Sequence, residues 1–147
     1  RLLDMDIDPF NFADALLGIM AQRLIRTLCQ KCRDPYHPTE EEFDEIMEAY
    51  GRDYFHRAGV KYSPELTLYK PKGCTACGNS GFKGRVGVHE LLVGTDEVKR
   101  AVQRRAPIDE LRKVALDQGM RTLLQDALEK MFKGMVDYKQ ARAIAVK

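Results

Sequence analysis

Four cysteines are the residues best placed to do chemistry in this sequence. They fall into two pairs, Cys29-Gln-Lys-Cys32 and Cys74-Thr-Ala-Cys77, with none left over. A Cys-x-x-Cys pair lets two thiolates reach one ion from a tight turn, and two such pairs complete a tetrahedral S4 shell with Zn–S distances of about 2.3 Å. Between the pairs lie residues 33 to 73, a stretch of 41 residues, which exceeds the spacing of a simple zinc ribbon. Loop-closure entropy grows only with the logarithm of length, so the span does not forbid a shared ion. A closed S4 shell leaves no position for water or substrate, so the reading is a structural zinc and no catalytic one. Four thiolates on one dication leave excess negative charge. Lys31, Arg33, Lys72 and Lys83 lie beside the ligands and are expected to offset it, and glycine N–H groups can donate to sulfur.

Other readings of the same cysteines remain open. Two separate redox motifs would each need a strand before and a helix after; Pro35 and the glycines after Cys77 spoil the helix. Structural disulfides require an oxidising compartment. Four unliganded thiols would make the paired spacing accidental. The histidines add little: His37 sits between two prolines, His56 in a polar stretch and His89 beside Glu90 on an expected strand. Glu40, Glu41, Glu42, Asp44 and Glu45 read as the solvated face and acidic first turn of a helix. No Gly-x-x-x-x-Gly-Lys-Ser/Thr phosphate loop occurs in the sequence, and no catalytic set is forced by it.

The 147 residues are 44% hydrophobic and 31% charged, an ordinary globular balance. A net charge of only +2 gives no strong global attraction to nucleic acid or anionic lipid. Phe10 to Leu28, the longest apolar-leaning stretch, is interrupted by Asp14, Gln22, Arg23 and Arg26, so no membrane span is expected. The opening Arg1-Leu-Leu-Asp-Met-Asp does not read as a signal peptide, and the chain reads as a fragment of something longer.

The elements that must position the cysteines follow from local patterns. Asp8 and Pro9 predict a helix over 8–17, with Phe12, Ala13, Leu16 and Leu17 on one face and Gly18 ending it. Alternation over 19–28 predicts a strand running into Cys29. Pro35-Tyr-His-Pro38 predicts a turn. Thr39 and Glu42 form a capping box before the apolar stripe Phe43, Ile46, Met47 and Tyr50, which Gly51 stops. Residues 52–64 read as loop or frayed turn. Leu66, Leu68 and Lys70 share a face of a short strand. Val86, Val88 and Leu92 suggest another, emerging from the glycine-rich stretch 73–87. Helices are expected from Thr95, from Pro107 (with Ile108, Leu111 and Ala115 on one face), from near Thr122 to Gly134, and from Asp137.

Arg1-Leu-Leu-Asp-Met5, Ala21-Gln-Arg-Leu-Ile-Arg26, the two cysteine pairs and Gly81-Phe-Lys-Gly-Arg-Val-Gly-Val-His-Glu-Leu-Leu92 come in one order. Together they resemble the C-terminal part of the type II secretion and type IV pilus assembly ATPases, over nearly the whole chain. The segment Gly119-Met-Arg-Thr-Leu-Leu-Gln-Asp126 also looks like that family's helical tail. The resemblance implies an α+β fragment of a RecA-like P-loop motor. Residues 1–28 would end the ATPase core, 29–92 would be a tetracysteine zinc subdomain with short strands, and 93–147 a helical C-terminal subdomain. It implies Cys29, Cys32, Cys74 and Cys77 as the metal ligands, ATP and Mg bound only in the full-length protein, and no hydrolysis by this chain alone. It further implies a homo-hexamer, cytoplasmic and peripheral at the bacterial inner membrane, working with platform and linker proteins and not with nucleic acid. Two alternatives belong to other classes. One is a zinc-stabilised nucleic-acid module using Lys70, Lys72, Lys83 and Arg85 with Tyr69 and Phe82. The other is a chaperone-type zinc module.

Overall fold

The computed structural model describes residues 8–144; the Arg1–Met5 portion of the resemblance and the extreme C-terminus lie outside the described residues. Helices and strands are mixed in the order α1 (Pro9–Ala15), β1 (Gly18–Leu28), β2 (Asp34–Tyr36), α2 (Glu40–Tyr50), β3 (Leu68–Lys70), β4 (Phe82–Val93), α3 (Asp96–Gln103), α4 (Ile108–Asp117), α5 (Leu123–Phe132) and α6 (Tyr138–Ala143). Two compact units result. One runs from the N-terminal end through Ala21 and takes up His89–Thr122; the other holds Gln22–Val88 and the segment from Leu123 onward. The division falls inside β1 and β4, which pair as a two-stranded sheet. They run antiparallel: the Gly94 N–H donates to Leu17 O at one end and the Cys29 N–H to Gly81 O at the other, both at 2.9 Å.

The unit with the cysteines is built around α2, α5, β3 and α6. Thr39 and Glu42 close the capping box in both directions, each backbone N–H donating to the other's side chain at 3.1 Å. The predicted stripe then buries Phe43, Ile46 and Tyr50. Against it α5 brings Ala127, Leu128 and Met131, all fully buried, and Gln125, whose Nε2 donates to the Tyr50 carbonyl at 2.8 Å. That bond satisfies one of the carbonyls that the end of α2 leaves without a helical partner. Phe55 packs edge-on against Phe43 and Tyr50, with ring centroids 5.5 Å apart in both pairs. The stretch read as loop over 52–64 therefore contains a 3-10 helix, Arg52–Ala58, anchored by buried Phe55.

Residues 35–38 are not simply a turn. Asp34–Tyr36 form β2, paired antiparallel with β3 in the register Asp34↔Lys70, Pro35↔Tyr69, Tyr36↔Leu68. Proline is tolerated because both strands of this ribbon are edges, so its missing N–H can fall on the open side. β4 likewise starts at Phe82, earlier than the apolar alternation indicated, since Lys83, Gly84 and Arg85 pair while facing solvent.

The other unit has a smaller core of Ala13, Leu16, Val98 and Val102, with Phe12, Leu92, Leu111 and Val114 against it. Thr95 caps α3 as expected, accepting from Val98 N at 3.2 Å. Two expected core positions fall outside. Leu17 is 88% exposed because α1 ends at Ala15, and Ile108 is 65% exposed because it is the first residue of α4. No helix among the described residues is long and apolar enough to cross a membrane.

Candidate metal centre

Both cysteine pairs sit on tight turns. The first follows buried Leu28 at the end of β1, and the Cys32 and Arg33 N–H groups fold back onto the Cys29 carbonyl at 3.3 and 3.0 Å. The second is a 3-10 turn, Thr75–Cys77, in which the Cys77 and Asn79 N–H groups fold back onto the Cys74 carbonyl at 3.3 and 2.8 Å. Each turn projects its two sulfurs to one side. The β2–β3 ladder closes the distance between the turns: Asp34 lies two residues after Cys32, and its partner Lys70 four residues before Cys74. The 41-residue excursion is thus pinned at its base by backbone hydrogen bonds, which lowers the entropy that ligation must overcome.

All four Sγ atoms lie within 4.8 Å of one another, and among the described residues this is a group whose donors could hold a metal ion. The pairs Cys29–Cys74, Cys32–Cys77 and Cys74–Cys77 are each 3.8 Å apart. A tetrahedral S4 shell with Zn–S bonds of about 2.3 Å has S···S edges of about 3.8 Å, so the donor set has the size of that shell. A disulfide would bring two sulfurs to about 2.05 Å; all four cysteines are free. Two Cys-x-x-Cys motifs working separately are not what the chain builds, since the sulfurs of both pairs form one cluster.

Backbone donors complete the surroundings. Gly73 N–H donates to Cys32 Sγ at 3.3 Å, Gly81 N–H to Cys77 Sγ at 3.2 Å and Cys74 N–H to Cys77 Sγ at 3.3 Å. Gly81 is required here: φ is +84°, and an added Cβ would lie 2.5 Å from Pro71 Cβ. Burial works to raise the Cys77 thiol, but the Cys74 and Gly81 N–H groups outweigh it and bring it down to about 6. Cys29 is lowered chiefly by the Lys31 N–H. Burial pushes Cys32 up to about 11 despite the Gly73 N–H. The cluster therefore has thiolate character at Cys77 and holds a proton at Cys32, which an arriving cation would displace.

The basic neighbours are used differently from the expectation. Arg33 is committed elsewhere: its Nη1 donates to the Gly134 carbonyl at 2.8 Å and its guanidinium lies 3.8 Å from the Tyr69 ring centroid. Lys31 and Lys83 line a cleft of about 420 Å³ beside Cys29 and Ala76. The expected glycine donors, by contrast, are in place. His37 does not join the cluster; its Nδ1 lies 2.9 Å from the Leu66 carbonyl. His56 and His89 are exposed, on the 3-10 helix after α2 and on β4. The rings considered as nucleic-acid platforms carry the chain's own cations on one face, Arg33 at Tyr69 and Arg26, 4.2 Å from the centroid, at Phe82.

Comparison with known proteins agrees with the motif order. The family model described as "Type II/IV secretion system protein" matches residues 1–143. The chain is 34% identical to the "Type IV pilus assembly ATPase PilB" of Thermus thermophilus, over 97% of this chain and 15% of that protein. It is 36% identical to the "Type II secretion system protein E" of Dickeya dadantii, over 95% of this chain and 25% of that protein. It is 32% identical to the "Type II secretion system ATPase E" of Vibrio cholerae, over 98% of this chain and 26% of that protein. The chain thus spans about a quarter or less of the length of these relatives. With four sulfurs gathered between the motifs that suggested the resemblance, the chain belongs to the type II/IV secretion system protein family.

Proposed function

We propose that Cys29, Cys32, Cys74 and Cys77 hold one structural zinc ion in the non-catalytic C-terminal part of a RecA-like P-loop motor. That motor would drive type II secretion or type IV pilus assembly. The relatives named as ATPases support the motor, and the four sulfurs at tetrahedral spacing carry the metal assignment. An S4 donor set suits zinc, which needs no redox partner and gains folding energy outright. In this reading 1–28 end the ATPase core, 29–92 are the metal subdomain and 93–147 the helical tail. ATP and Mg bind elsewhere in the longer protein, because this sequence has no phosphate loop. The motor is a hexamer at the cytoplasmic face of the inner membrane. The metal module contacts the membrane platform or a neighbouring subunit, and the helices after Thr95 transmit movement to it.

Elemental analysis of protein purified under reducing conditions tests the metal: one zinc per chain is expected. Absence of metal, or mapping of the thiols as two disulfides, would sink the assignment. The motor reading is tested separately by the upstream coding sequence. It must encode a phosphate loop, and ATP hydrolysis by the full-length protein must be lost when that loop's lysine is replaced.

A further inference from the structure

The chain is tied to the turn between α5 and α6 on both sides of the first cysteine pair. Just before Cys29, the Leu28 N–H donates to the Met135 carbonyl at 2.9 Å. Just after Cys32, Arg33 Nη1 donates to the Gly134 carbonyl at 2.8 Å. The same guanidinium stacks on Tyr69, which β3 holds opposite Pro35. Aromatic stacking combined with a directed hydrogen bond suits a planar guanidinium and not a lysine ammonium. The receiving position is shaped for it. Gly134 has φ +80°, and a Cβ there would collide with Arg33 Nη1 and lie 3.0 Å from the Tyr69 ring. Beyond it Val136 is fully buried and Asp137 caps α6, accepting from Gln140 N at 3.2 Å. The root of the Arg33 side chain is fixed by the turn that presents the thiolates, through the Arg33 N–H on the Cys29 carbonyl at 3.0 Å.

We propose that Arg33 is a positioning residue that couples metal loading of the four cysteines to docking of the α5–α6 turn, residues 133–137. The inference rests on the metal reading above. With the ion bound, the Cys29–Arg33 turn is rigid and Arg33 reaches Gly134 from a fixed root. Without it the turn is free to open, and the clasp on Gly134 and Met135 loosens with it. The C-terminal helices thereby report the state of a centre to which they contribute no ligand.

Amide hydrogen exchange on the full chain tests this, comparing zinc-loaded protein with protein treated with chelator and reductant. Zinc should slow exchange over 130–144 by about tenfold or more, alongside the expected slowing over 74–82. Arg33→Met should keep one zinc per chain and the slowing over 74–82, yet lose most of the zinc-dependent slowing over 130–144. Tyr69→Leu, which removes the stack and leaves the hydrogen bond, should give an intermediate result and serves if Arg33→Met does not fold. Full zinc-dependent slowing over 130–144 in a zinc-loaded Arg33→Met or Tyr69→Leu protein overturns the coupling and leaves the metal reading intact. Loss of zinc from Arg33→Met also overturns it, by placing Arg33 at the metal turn instead of at the clasp. Absence of zinc from the wild-type chain sinks the metal reading itself.

Discussion

The two compact units differ in a direction opposite to what domain size alone suggests. Among the described residues, the core cluster of the unit without the cysteines joins Ala13, Leu16, Val98 and Val102. The cluster in the unit with them is larger and includes the rings of Phe43, Tyr50 and Phe55 with Leu128 and Met131. A metal is usually invoked where a small domain buries too little apolar surface, yet here the cluster belongs to the better-packed unit. The explanation is local. The cysteine turns lie among glycines with positive φ, Gly73, Gly78 and Gly81, and only Cys29 of the four cysteines is fully buried. The ion would order a glycine-rich corner that apolar packing does not reach, while α2 and the body of α5 are held by their own contacts.

Replacement of one of the clustered cysteines has the largest expected effect. Cys74→Ser should release the metal and destabilise the cysteine unit by more than about 4 kcal/mol, the scale of a lost metal site. Calorimetry would show it, and a melting profile equal to wild type would mean that the corner orders itself. Acidification does the same gradually. At pH 7 Cys32, pushed up to about 11, must give up a whole proton to the metal, whereas Cys77, at about 6, is already mostly thiolate. Since protons compete for the sulfurs, zinc affinity should fall as pH falls, by about tenfold or more per pH unit near neutrality for the proton on Cys32 alone. Competition with a chromophoric chelator between pH 8 and pH 6 measures this; a flat profile would show that thiolates are not the ligands.

Core truncations sharpen the contrast. Leu128→Ala empties a fully buried site and should cost about 3 kcal/mol. Val98→Ala, equally buried in the smaller core, removes less volume and should cost about 2 kcal/mol. Chemical denaturation followed in each unit should show Leu128→Ala shifting only the cysteine unit and Val98→Ala only the other. A common shift would mean the two units unfold as one. The smallest effect is expected at Thr39→Ala, about 1 kcal/mol from the lost cap of α2. Restoration by Thr39→Asp, which can also cap, distinguishes capping from packing.

What was legible in the sequence was chiefly local. The capping box at Thr39, the stop at Gly134 and the cap at Asp137 each need only neighbouring residues, and each is present. The cysteine spacing pointed to a single cluster, and the four sulfurs do gather within 4.8 Å of one another. The β2–β3 ladder was hidden by Pro35, which reads as a turn unless its strand is known to be an edge. Phe55 lacked a periodic partner, since a 3-10 helix does not repeat like an α-helix. From sequence alone Arg33 reads as charge compensation for nearby sulfur, because its target, Gly134, is 101 positions away. Contacts at that separation leave no pattern in a single chain.

Because residues 37–67 leave and re-enter through the paired backbone of β2 and β3, that stretch is a closed ring attached at its neck. A protease cutting at its far side, near Gly59, would yield two pieces that still travel together, joined by the ladder and, when an ion is bound, by four sulfur bonds. Insertions there lengthen the ring without widening the neck, so this is where the chain has room to change.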